Sequence, residues 1–371
     1  MNKERQIMFF DYSALNNWLE KDIQYNISKL ISFKTTKDYD LLVTKFEESF
    51  AKYCECNYCI ALNSGTSALQ LAMYSMGIGK GDEVILPAYT FAASAIAISN
   101  IGAKPVFVDI LPTDLTIDPN QIENKITDKT KAIMAVHIHG NPCDLDPIAE
   151  ICKKHNLFLI EDASQAHGAL YNKKKIGSFG IGCFSLHMSK NIGGIGNAGA
   201  ITLHDITQRN KIKKCINPDN NSKKVLGSNR TPCEMDAIHA CFLLPKLNVL
   251  DKINKRKREM AELYHDNIKN PICTKPLLNN KGSGVYRDYY VMIKEREKII
   301  KILLSKGIET KARYKIPLHL TNTYKYLGYK KGDFPIAERA AKEVLCLPTH
   351  MNISNEDIQY ICKIINNIKI V

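Results

Sequence analysis

Between about residue 58 and residue 205 the chain alternates short apolar runs with stretches whose apolar residues recur at helical spacing. The runs Ile60 to Leu62, Glu83 to Leu86, Pro105 to Val108, Ala132 to Ile138, Leu157 to Ile160, Gly182 to Ser185 and Ala200 to Leu203 predict strands. Between them lie stretches such as Thr66 to Met76, where Leu69, Ala72, Met73 and Met76 mark one buried helical face. This alternation predicts a mostly parallel sheet flanked by helices, because parallel neighbours need a crossover. In such sheets ligands collect at the carboxyl ends of the strands, and Asp162 stands at one of those ends.

From about Met235 to Ile268 the pattern turns helical, with Leu247, Leu250, Ile253, Met260 and Leu263 on one side and Pro245 as an expected interruption. Beyond it the pattern predicts a strand near Tyr289 to Ile293, a helix near Glu297 to Ser305 and a loop through Pro317. A closing helix opens with Ser354 and Asp357 at capping positions and carries Ile358, Ile361, Ile365 and Ile368 inward. The expected organisation is α/β, with a large domain over residues 1–250 and a smaller C-terminal α+β domain over residues 251–371.

Composition narrows the class. With 45% hydrophobic and 24% charged residues over 371 positions, the chain reads as globular. Its most apolar stretch, about Val84 to Ile98, is too short to span a bilayer, and Met1 to Arg5 leads into no apolar run of the kind a secretory signal needs. Twelve cysteines scatter from Cys54 to Cys362 without the spacing of a disulfide framework, which points to a reducing cytoplasm. Cys54, Cys56 and Cys59 lie close together, yet no second Cys or His pair follows, so no metal is expected. The net charge of +13 is spread along the whole chain without interleaved aromatics, which argues for a solvated basic surface ahead of an acidic small substrate, and against nucleic acid.

Three segments carry chemistry. Asn63-Ser64-Gly65-Thr66-Ser67-Ala68-Leu69 follows a short strand and opens a helix, whose free N–H groups and Thr66 and Ser67 hydroxyls form an anion site suited to a phosphate. A Ser/Thr cap does as much in any helix, so this segment counts only in company. Glu161 to Gly168 supplies the carboxylate of Asp162, which stays ionised when buried beside a cation, and Gln165, a donor for a phenolic oxygen. Lys190 lies between a strand ending in Ser185 and the turn Gly193-Gly194. A lysine amine opposite a buried carboxylate, with phosphate donors nearby, is what pyridoxal 5'-phosphate requires. Gly194-Ile195-Gly196-Asn197-Ala198-Gly199 formally matches a dinucleotide fingerprint, but it leads into a predicted strand, so the nicotinamide reading is rejected.

Together these segments closely resemble the DegT/DnrJ/EryC1/StrS family of pyridoxal-phosphate sugar aminotransferases. The resemblance runs along nearly the whole chain through Phe46 to Ala51, Asn63 to Leu69, Gly81 to Pro87, Gly102 to Asp109, Val136-His137, Glu161 to Ala169, Gly177 to Gly180, Phe184 to Asn191, Ile316 to Leu320 and Gly332 to Pro335. It implies the aspartate-aminotransferase type of fold and a homodimer whose active sites are completed across the subunit interface. Carried over by position, it makes Lys190 the Schiff-base lysine and Asp162 the partner of the pyridine nitrogen. Phe91 would stack on the ring, Thr66, Ser67 and Ser185 would bind the phosphate beside Gly65, and Gln165 would sit near the phenolic oxygen. Asn229 would reach the neighbouring subunit's phosphate, and Arg313, Tyr314 and His319 would meet substrate.

The chain also departs from its relatives. Arg313-Tyr314-Lys315 stands where many members carry His-Tyr-Pro, and His239 replaces a glutamine after the segment Arg230 to Glu234. A branch that dehydrates deoxysugars carries His in place of the lysine, so Lys190 implies transamination. The expected reaction aminates a nucleotide-linked keto-6-deoxyhexose, first a dTDP-3-keto-6-deoxyhexose, with L-glutamate as donor. Amination of 4-keto sugars or keto-cyclitols is the alternative, and a non-catalytic regulator on the same fold is the alternative of another class.

Overall fold

A computed structural model describes residues 5–216, 233–277 and 281–369. Three helices, α1 (Ser13–Trp18), α2 (Glu20–Ile31) and α3 (Thr36–Tyr53), precede the first strand. The next segments are β1 (Tyr58–Leu62), α4 (Gly65–Ser75), β2 (Glu83–Pro87), α5 (Ala92–Asn100), β3 (Lys104–Val108), β4 (Thr130–Val136), α6 (Leu145–His155) and β5 (Phe158–Asp162). They are followed by β6 (Leu170–Tyr171), β7 (Lys174–Lys175), β8 (Ile181–Ser185), β9 (Gly199–Leu203), α7 (Ile206–Ile216) and α8 (Ala237–Asn267). The remainder holds β10 (Cys273–Thr274), β11 (Gly282–Ser283), β12 (Tyr289–Ile293), α9 (Arg296–Ser305), α10 (Pro335–Glu343), β13 (Val344–Leu347) and α11 (Asn355–Asn366).

Seven strands form the main sheet in the order β1-β9-β8-β5-β4-β2-β3. Pairing is parallel from β8 through β5, β4 and β2 to β3, whereas β9 runs antiparallel to both β1 and β8. The exception has a simple cause: no helix separates β8 from β9, so the chain returns without the crossover that a parallel strand needs. Side chains of β4 alternate between two hydrophobic clusters, with Ala132, Met134 and Val136 in one and Ile133 and Ala135 in the other. Both faces of the sheet are therefore buried, as a parallel sheet requires. The fold is α/β, a large mostly parallel sheet flanked by helices.

Helix α8 is continuous through Pro245, where the sequence predicts a break. Proline cannot donate to the carbonyl four residues earlier, and Asn26 Nδ2 donates to Cys241 O instead, at 3.2 Å. Residue 250 falls inside this helix: Ala240, Leu243, Leu247 and Leu250 pack on the main sheet, while Met260, Ala261 and Tyr264 join a third cluster. That cluster covers one face of the antiparallel sheet β10-β12-β13 with Tyr289, Val291 and Ile293, and the opposite face, with Tyr290 and Met292, turns to the main-sheet core. Helix α11 opens with the expected capping box, Ser354 Oγ accepting from Asp357 N at 3.0 Å, and buries Ile358, Ile361 and Ile365. Among the described residues no helix is long and apolar enough to cross a membrane.

Candidate active site

The parallel strands end on one side of the sheet, and the turns that follow them surround a cavity of about 510 Å³. After β1, Ser64 caps α4, its Oγ accepting from Ser67 N at 3.1 Å, and Gly65 and Thr66 line the cavity. A Cβ on Gly65 would stand 2.8 Å from the Ser185 Cβ, so only glycine lets the first turn of α4 pack directly on the end of β8. Ser67, an expected phosphate ligand, does not line the cavity: its hydroxyl donates to Asn63 Oδ1 at 2.7 Å and meets Ser64 Oγ at 2.8 Å. Its place in the helix turns it into the cap, and Ser64 takes the position facing the cavity.

After β2, Phe91 presents a ring that is 58% exposed to the cavity. After β5, the buried Asp162 accepts from Ser94 Oγ at 2.7 Å through Oδ2 and from Ser164 N at 3.2 Å through Oδ1. Gln165 is oriented by a backbone donor, since its Oε1 accepts from His139 N at 2.8 Å, which leaves Nε2 to donate to Tyr314 Oη at 2.8 Å. Tyr314 has φ of 47° and stacks edge-on against Tyr89 with centroids 5.4 Å apart, a backbone conformation that a non-glycine residue holds only when its surroundings fix it.

After β8, Ser185, His187, Ser189 and Lys190 reach the cavity. Desolvation pulls the Lys190 amine down to about 7, and the Arg287 guanidinium adds to that, against the opposing pull of Asp162 and Asp288. Lys190 Nζ makes no hydrogen bond to another described residue. The structure thus brings together Gly65, Thr66, Phe91, Asp162, Gln165, Ser185, Lys190, Arg313 and Tyr314. His319, an expected substrate contact, is not among them: its ring is buried edge-on against Phe334, with Nε2 3.1 Å from Glu338 Oε1. A single 3₁₀ turn, Leu318–Leu320, points it into the core. Asn229 lies outside the described residues.

Several cavity residues have no local sequence motif to announce them. Ser94 lies on α5, and Arg287 and Lys311 come from the segments flanking β12 and α9. Beneath them Asp288 is buried between Arg287, Arg313 and His139. Burial alone would raise its pKa, but the two guanidiniums and the imidazole hold it well below the usual carboxylate range. Cys54, Cys56 and Cys59 are buried thiols pushed up by desolvation, and Cys56 Sγ donates to Gly177 O at 3.2 Å.

This donor set fits pyridoxal 5'-phosphate. The glycine-backed first turn of α4 offers unspent N–H groups to a phosphate, a buried carboxylate offers a counter-charge to a pyridinium, and an exposed aromatic ring offers a stacking face. Near-neutral Lys190 offers a nucleophilic amine.

Known proteins point the same way. The chain is 37% identical over 364 residues to the dTDP-3-amino-3,6-dideoxy-alpha-D-galactopyranose transaminase of Aneurinibacillus thermoaerophilus, covering 97% of this chain and 99% of that one. It is 36% identical over 329 residues to the GDP-perosamine synthase of Caulobacter vibrioides, covering 85% and 87%. The crystal structure of DesV from S. venezuelae in complex with a ketimine intermediate matches with a TM-score of 0.92 at 30% identity, covering 97% of this chain and 98% of that one. The model of the DegT/DnrJ/EryC1/StrS aminotransferase family matches residues 19–366, and with the site geometry it establishes that this chain belongs to that pyridoxal-phosphate-dependent family.

Proposed function

We propose that the protein aminates a nucleotide-linked keto-6-deoxyhexose, first a dTDP-3-keto-6-deoxyhexose, taking nitrogen from L-glutamate. The observation that carries the reading is the Lys190 amine, held near neutrality in a cavity opposite Asp162. The full-length similarity to a dTDP-3-amino-sugar transaminase supports the choice of sugar.

When bound, pyridoxal 5'-phosphate supplies an aldehyde and an electron-withdrawing ring. Gly65, Thr66 and Ser185 would hold its phosphate, Phe91 one ring face, Asp162 the ring nitrogen and Lys190 the aldehyde carbon. The bonds from Ser94 and Ser164 fix the orientation of the Asp162 carboxylate at the cavity. Lys190 Nζ would accept the proton from the donor's α-carbon, a task suited to an amine with pKa near 7. The same nitrogen returns a proton in the second half-reaction, where the keto-sugar is the acceptor, so the kinetics are ping-pong. The working unit is a homodimer with shared active sites in a reducing cytoplasm.

Incubation with glutamate and a panel of nucleotide-linked 3-keto and 4-keto sugars and keto-cyclitols, with products identified by mass and NMR, tests this. The expected product is a 3-amino sugar. Amination confined to a 4-keto sugar, as the similarity to a GDP-perosamine synthase would favour, overturns the choice of ring carbon. Amination of a cyclitol alone overturns the substrate class.

A further inference from the structure

Arg287 and Arg313 come from separate stretches of chain, and one carboxylate holds both. Asp288 Oδ2 accepts from Arg287 Nη1 at 2.5 Å, and Oδ1 accepts from Arg313 Nη2 at 3.1 Å. The Asp288 side chain is 1% exposed, that of Arg287 5% and that of Arg313 16%. The Phe10 ring lies 5.3 Å from each guanidinium carbon, so a single aromatic face supports both cations. The arrangement is built, with an acid, two forks and a shared platform, and both arginines line the cavity that contains Lys190.

The cluster's charges do not balance. Two guanidiniums share one carboxylate, and Lys311 adds a further cation to the same wall. Nor are the donors spent: Arg287 uses Nη1 on Asp288 and Nη2 on Ser189 Oγ, but Arg313 gives Asp288 only Nη2, and its side chain keeps 16% of its surface open. A buried cation with unused N–H groups beside a cavity is costly unless an anion completes it. Guanidinium forks match the two coplanar oxygens of a carboxylate.

Position selects which anion. Arg287 donates to Ser189, the residue next to Lys190, so an anion on this cluster sits beside the reacting amine. In an amino acid the carboxylate is bonded directly to the carbon that reacts. In a nucleotide sugar the diphosphate sits on C1, away from the keto carbon. We infer that Arg287 and Arg313 bind the carboxylate of the amino donor, with Asp288 as the residue that positions them. This deepens the reading of an amino-acid donor and rests on it.

The test uses holoenzyme and two non-reacting probes, glutarate for the donor site and thymidine diphosphate for the nucleotide site, with binding measured by calorimetry. Arg313→Leu is expected to weaken glutarate roughly 30-fold and Asp288→Asn roughly tenfold, with thymidine diphosphate affinity within about twofold of wild type in both. Arg313→Lys keeps the charge, loses the fork and falls between. In steady state the Asp288→Asn loss appears in KM for glutamate, with KM for the keto-sugar unchanged. Retained cofactor absorbance and thermal transition certify that each variant is folded; where Asp288→Asn fails that check, Arg313→Lys and Arg313→Leu decide. Unchanged glutarate affinity, or an equal loss for thymidine diphosphate, overturns the inference. Wild-type holoenzyme that accepts nitrogen from no amino acid overturns the donor reading itself, a separate outcome visible before any variant is made.

Discussion

Ser94 Oγ donates to Asp162 Oδ2 at 2.7 Å, joining helix α5 to the end of β5 beneath the cavity. The Thr90 hydroxyl lies 3.1 Å from the same Ser94 oxygen, so the carboxylate is fixed from the side of β2 as well as by its own turn. A charged hydrogen bond of this kind contributes about 1.5–3 kcal/mol, and Ser94→Ala is expected to raise the cofactor's dissociation constant at least about tenfold. Equilibrium dialysis against pyridoxal 5'-phosphate measures it, and an unchanged constant would show that Ser94 is idle. Removing the charge itself, in Asp162→Ala, is expected to lower kcat by roughly 10²–10³-fold.

Lys190→Ala should abolish transamination and leave no residue to label when holoenzyme is reduced with borohydride and its peptides mapped. The amine's lowered pKa adds a pH signature. Because the neutral form is the nucleophile, recombination of the cofactor with stripped protein should accelerate as pH rises through about 7 and then level off. The linkage has the matching sign: the unfolded lysine holds its proton up to its ordinary value of 10.5, so stripped protein gains stability from this group as pH rises from about 7 toward 10.5. A midpoint near 10 in the recombination profile would contradict the environment described here.

Gly65→Ala tests the close approach of α4 to Ser185. The added carbon would have to displace the Ser185 Cβ, 2.8 Å away, and overpacking of this kind costs about 1–3 kcal/mol. The expected result is a lower Tm together with weaker cofactor binding, because the displaced backbone is the one proposed to hold the phosphate. A fall in Tm with full cofactor affinity would separate the cradle from Gly65.

Glu161, beside Asp162 but facing the opposite side, is a structural acid. Burial works against its charge, yet His137 and the N–H groups of Gly177, Phe179 and Gly180 hold its pKa below 4.5. Its stabilisation is therefore present above pH 4.5 and lost as pH falls through the lower folded value. Glu161→Gln would aim an amide N–H at backbone donors and should cost about 2 kcal/mol near neutrality, measured by denaturant unfolding, with the gap to wild type closing in acid.

The surplus of positive charge predicts an ionic-strength effect. The net charge of +13 should steer a diphosphate substrate, so kcat/KM for the keto-sugar should fall steeply as salt rises. A flat profile would assign the lysines to solubility alone.

Much of the site is legible in the sequence because each part sits in a local pattern. Asp162 ends an apolar run, Gly65-Thr66 opens a helix after a strand, and Lys190 lies between a strand and a glycine turn. Arg287, Asp288 and Ser94 carry no such pattern, since they meet the cavity only through packing of distant segments. A faint signal exists at Arg287-Asp288, a charged pair abutting the apolar run Tyr289 to Ile293, where burial obliges each charge to find a partner. Ser67 and His319 show the opposite limit, because a matching motif does not say which way a side chain turns. The reversed direction of β9 was open to reading, since the stretch after Ser185 has glycines where a crossover helix would need apolar periodicity.

Helix α8 runs unbroken for 31 residues from the packing beneath the main sheet into the third hydrophobic cluster. A hinge between those two bodies would have to bend that rod, and its proline, with the carbonyl it orphans already engaged by Asn26, offers no slack. The two bodies therefore present the cavity in one mutual orientation, and Tyr314, pinned between Tyr89 and Gln165, keeps its wall in place, so an acceptor has to fit a largely preformed cavity.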